Sequence, residues 1–134
     1  MEISQTYEMT HTVDLNDLAS SLSPTPDDEF PPVFATSRMI AFMEFCSARF
    51  MCPLLKDGEL SVGVGIDIRH TVPTLPGEEV TLSSTYLGRE GKLFRFKVSV
   101  SDKNGVVGEG EHLSLIHISE PTRPRRQSRM PSSA

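Results

Sequence analysis

A hydroxyl at Thr36, a carboxylate at Glu44 and an imidazole at His70 are the groups in this chain most able to do chemistry, and acyl transfer commonly draws on all three. Thr36 stands where a helix is expected to begin, so its hydroxyl can accept a bond from an orphan amide of the first turn. The same position offers unpaired amides and the positive end of the helix dipole, which can hold the oxyanion of an attacked carbonyl. Glu44 follows eight residues later, a little over two turns on, at the border of the apolar arc of that helix. There it is either a boundary residue that reaches water or a partly desolvated base or nucleophile. His70 shares strand parity with Val62, Val64, Ile66 and Ile68, which points it inward either as a satisfied core histidine or as a proton shuttle. Gly63 and Gly65 interrupt the same strand, and glycine inside a strand often marks the close approach of a ligand or another backbone.

Other chemistries find less support. His11, His70, His112 and His117 lack ligand-type spacing and the cysteines form no CxxC pair, so no metal is expected. No Gly-rich phosphate loop precedes a helix, and no Gly-x-Ser-x-Gly elbow occurs.

The elements that must position these groups follow from periodicity. Residues 36–55 read as one long helix, with Met39, Ile40, Met43, Cys46, Phe50, Met51 and Leu54 in an arc of roughly 140°. Arg38, Arg49 and Lys56 lie opposite, and Pro53 distorts the last turn or stops the helix near Cys52. Residues 3–14 alternate as a half-buried strand, with Ile3, Tyr7, Met9, His11 and Val13 on one face. Residues 15–32 form a Ser/Pro/Asp-rich connection with a short helical turn near Leu15–Leu22. A connection of that length argues for a covering role. Strands follow over 61–72, 78–87, 92–101 and 106–118, with turns at Gly88–Gly91 and Asp102–Gly105. Short connections favour antiparallel neighbours, which gives an α+β layer: a curled antiparallel sheet around one helix. Its exposed edges need cover that a homodimer would supply.

Bulk properties narrow the function. The chain has 134 residues, 37% hydrophobic and 23% charged, which suits one compact domain. Its net charge of −5 argues against nucleic acid as a partner. Cys46 and Cys52 lie on different helix faces, so free thiols in a reducing compartment are expected rather than a disulfide. Neither a signal peptide nor a run of roughly 18 apolar residues is visible, so a soluble, cytoplasmic protein with no membrane association is expected.

The passage FPPVFATSRMIAFMEFCSARFMCPLL, followed by GELSVGVGIDIRHTVPTLPGEEV and later by GVVGEGEH, resembles the hot-dog-fold thioesterases of the fluoroacetyl-CoA thioesterase type over residues 5–112. The resemblance implies a hot-dog fold within a single domain, 1–118. Residues 114–134 depart from the family and resemble translated read-through, so 119–134 are expected to be a disordered, non-native tail. It also implies an acyl-CoA thioesterase with no metal or cofactor that uses Thr36, Glu44 and His70. Glu44 would act as nucleophile or activate water, Thr36 would orient the reacting groups, and His70 would protonate the leaving thiolate. Gly63 matches a family glycine near the acyl group, and Phe30 matches an aromatic position that covers it. Asp27 and Asp28 stand where a fluoroacetyl-selective member would carry a further aromatic, so the implied substrate is a small or medium acyl-CoA. A non-catalytic acyl-CoA binding module, or a hot-dog hydratase or dehydratase, is the alternative. The helix lacks the histidine such hydratases usually carry.

Overall fold

Helix α1, Thr36–Met51, forms where the 3.6-residue recurrence of large apolar side chains is unbroken. Met39, Met43, Cys46, Phe50 and Met51 are buried along it, and Pro53 turns its end into a short 3-10 segment, Cys52–Leu54. The computed structural model describes residues 1–118. The expected tail, 119–134, lies outside them.

The strands are β1 Thr6–Thr12, β2 Glu59–His70, β3 Glu79–Glu90, β4 Leu93–Asp102 and β5 Gly105–Ile118. They form one sheet in the order β1-β3-β4-β5-β2, with every pair antiparallel. The helix packs across β1, β2, β3 and β4. Alternation is cleanest in the middle of the sheet. Val80, Leu82, Ser84 and Tyr86 of β3 and Phe94, Phe96, Val98 and Val100 of β4 all face the helix and are buried. Each such large side chain contributes about 1.5–3 kcal/mol of burial. The Ser47 and Ser84 hydroxyls meet across this layer at 2.8 Å, so neither is left unpaired, and the Cys46 thiol donates to the Leu82 carbonyl at 3.6 Å.

The connection between β1 and α1 is pinned down. Two short 3-10 segments, Leu15–Asp17 and Ala19–Leu22, match the turn expected there. The Ala19 amide bonds the Val33 carbonyl, the Phe34 amide bonds the Thr74 carbonyl, and the Ala35 amide bonds the Asp17 carbonyl. These bonds bury Phe34 and deliver the chain to the start of α1 at a fixed angle.

Local expectations in the strands need correction. Ile3 lies outside β1 and is 68% exposed. Gly88 is not part of a turn: at φ 117° it forms a bulge within β3, and the chain reverses at Gly91. In β2 the expected inward face of Val62, Val64, Ile66, Ile68 and His70 is split by a bulge between Gly63 and Gly65. The extra residue, Val64, shifts the parity. Gly63 therefore faces the helix before the bulge, and Ile66, Ile68 and His70 do so after it, while Val62 and Val64 are exposed.

Candidate active site

Thr36 is the first residue of α1, and its hydroxyl caps nothing. Ala35 occupies the cap position, without a side-chain bond to the helix, which corrects the cap expected at Thr36. The Thr36 hydroxyl lies instead 2.9 Å from His70 Nδ1. A cap hydroxyl must point back at the amides of the first turn, whereas a side chain one residue later can point across to a neighbouring strand. His70 ends β2 and faces inward because the bulge sets its parity. Its Nε2 is buried with no partner among the described residues. Burial holds its pKa below the ordinary histidine value, so the ring is neutral at neutral pH. A neutral ring can take the Thr36 proton at Nδ1 while Nε2–H stays free to donate. Ala19, Pro31, Val33, Phe34 and Val72 surround this pair in an open cavity of about 280 Å³.

Glu44 sits elsewhere. Eight residues at 1.5 Å each place it about 12 Å along the helix from Thr36. It lines a different cavity of about 410 Å³, with Ser61, Gly63, His112 and Ser114. Its side chain is 43% exposed, and Oε2 lies 3.7 Å from His112 Nε2. Gly63 makes this arrangement possible, since a Cβ there would collide with Glu44 Oε2. The chain thus joins Thr36 to His70 and sets Glu44 over Gly63 in a second hollow.

Phe30 lies on the connection before α1, 52% exposed, and lines neither hollow. Among the described residues no group of three His, Cys, Asp or Glu is placed to hold a metal ion. Both cysteines are free; Cys46 is buried, and desolvation pushes its thiol up to about 12. No helix among the described residues is long and apolar enough to cross a membrane.

His112 did not emerge from motif spacing. Its signal is strand parity: Gly108, Gly110, His112 and Ser114 share one face of β5, and small residues beside an imidazole mark room on a buried face.

A family model described as the fluoroacetyl-CoA-specific thioesterase matches residues 13–119. The fluoroacetyl-CoA thioesterase of Streptantibioticus cattleyicolor is 38% identical over 100 residues, covering 74% of this chain and 72% of that protein. A solved structure of the fluoroacetyl-CoA thioesterase FlK is 31% identical, covers 98% of each chain and superposes with a TM-score of 0.85. A Thermus thermophilus thioesterase-superfamily member, 20% identical over 94% of this chain and 90% of that one, shares the fold with a TM-score of 0.80.

Proposed function

We infer the activity from one premise: the chain belongs to the fluoroacetyl-CoA-specific thioesterase family. It is a hot-dog-fold acyl-CoA thioesterase that hydrolyses a small or medium acyl-CoA to the free acid and CoA. The observation that carries this reading is the 2.9 Å contact between the Thr36 hydroxyl and His70 Nδ1, made beside the free amides of a helix start. In the reaction the oxygen of water bonds to the thioester carbon, the carbon–sulfur bond breaks, and the thiolate leaves with a proton. Thr36 orients the carbonyl, Glu44 activates the water or attacks the carbonyl itself, and His70 Nε2–H supplies the proton to sulfur. Gly63 keeps space for the acyl group, and Phe30 folds over its end.

Glu44 reaches the other two residues across a homodimer. β2 is an edge strand whose exposed Leu60, Val62 and Val64 would otherwise face water. Antiparallel pairing of β2 with its copy, about a two-fold axis at Asp67 and with Val64 left unpaired, sets Gly63 of one protomer opposite His70 of the other. Each site then takes Thr36 and His70 from one copy and Glu44 from the second. The enzyme acts in the cytoplasm on a soluble ester, away from membranes, and the net charge of −5 supports a surface that avoids nucleic acid.

A panel of short acyl-CoAs with thiol trapping tests the hydrolase. Binding detected as a thermal shift without thiol release would leave only a binding module. Co-expression of Thr36→Ala with Glu44→Ala tests the shared site. Random pairing leaves one intact site in half of the dimers, so about a quarter of the activity returns. No recovery in the mixed dimers would mean that each protomer works alone.

A further inference from the structure

His112 is 2% exposed on β5, and neither ring nitrogen has a hydrogen-bond partner among the described residues. A buried polar group left unpaired is destabilising, so this ring is kept against a standing penalty. Phe96 stacks on it at 6.1 Å between centroids, and Ile66 and Phe96 flank its backbone in the ladder, so the ring is held in place. Its Nε2 faces Glu44 Oε2 across 3.7 Å, and a Cβ at Gly63 would come within 2.9 Å of the same nitrogen. The missing side chain at Gly63 gives acid and imidazole one shared corner. Burial holds the ring neutral, with a single N–H to give. The gap is one small rotation, or one bridging water, away from a hydrogen bond. Glu44 itself is long and 43% exposed, so a fixed donor is what would select one of its rotamers.

We propose that His112 is a positioning residue for Glu44: its Nε2–H holds the carboxylate over Gly63, aimed at the reacting thioester. The proposal rests on Glu44 being the hydrolytic carboxylate, and its test separates the two. His112→Gln sets an amide N–H near the place of Nε2, His112→Asn sets one near Nδ1, and His112→Phe keeps the ring volume with no donor. The expected result is that His112→Phe and His112→Asn lower kcat on a short acyl-CoA about 10- to 100-fold with KM little changed, while His112→Gln recovers most of it. Equal kcat in all three and the parent overturns the proposal. So does an equal loss in all three variants, which is what a packing role would give. If His112→Phe does not fold, the ratio of Gln to Asn decides: about tenfold supports the role, and unity overturns it. Glu44→Ala is run alongside. Full turnover there removes both readings, whereas an inactive Glu44→Ala beside an unimpaired His112→Phe overturns the role of His112 alone.

Discussion

The two acid–imidazole contacts among the described residues, His11–Asp17 and His112–Glu44, lie on different sides of α1 and are built in opposite ways. In the first, His11 Nε2 is 2.6 Å from an Asp17 carboxylate that is 1% exposed. That carboxylate also accepts from the Asp14 amide at 3.0 Å and from Arg38 Nε at 3.1 Å. Phe42 stacks on the His11 ring at 3.9 Å and lies under the Arg38 guanidinium. Burial alone would raise the Asp17 pKa, but the Asp14 amide, His11 and Arg38 outweigh it and hold the carboxyl below the ordinary value. In the second contact the atoms stand 3.7 Å apart, the acid side chain is 43% exposed and the imidazole is unpaired. A carboxylate with every lone pair engaged has nothing left for a substrate and holds the loop to the helix. One with open valences can take up a water or a carbonyl carbon. Completeness of hydrogen bonding separates the pair that ties the loop to the helix from the pair proposed to act on substrate.

The sharpest break of this contrast is Glu44→Ala, which should lower kcat/KM for acyl-CoA hydrolysis by about 10²–10⁴ with an unchanged melting temperature. Near-parental turnover would end the distinction. Gly63→Ala comes next, since its Cβ displaces the carboxylate; a loss of about 10–100-fold in kcat is expected from steady-state kinetics. On the other side of the comparison, Asp17→Ala should destabilise by about 3 kcal/mol in denaturant titrations, because it leaves the Asp14 amide, His11 and Arg38 without their shared acceptor, while kcat per folded molecule holds. A fold as stable as the parent would show that the completed network carries no structural weight.

The smallest effect is a pH dependence whose windows differ between the two regions. His70 and His112 have lowered values from burial, so the unfolded chain takes up protons first below about the ordinary 6.5, and stability declines as pH falls from there. The Asp17 contribution is complete above its ordinary 3.8 and fades only below it. Thermal melts from pH 8 to 3, with a first decline that His112→Gln reduces and Asp17→Asn leaves in place, would bear this out.

The helix and the central strands were legible because each buries one face at a fixed period: Met39, Met43, Cys46 and Phe50 on α1, and Phe94 to Val100 on β4. Thr36 was legible as a hydroxyl at the helix start but not in what it contacts, because a cap and a first-turn hydroxyl look alike in sequence. Its contact with His70 spans 34 positions and exists only through the sheet. The inward face of β2 was misread because a bulge in Gly-Val-Gly leaves no mark on the alternation of Val and Ile. The open valences of His112 are a property of packing, which no spacing of residue types encodes.

The bulge at Val64 also bears on how genes of this kind can change length. Its extra residue takes no opposing partner on β5, so a relative shortened by that one codon would keep Gly63 and Ile66 on their present faces. What it would lose is the local kink of the backbone beneath Glu44. A single-residue gap in an alignment at this spot would therefore signal a change in the backbone under Glu44 within an otherwise unaltered sheet.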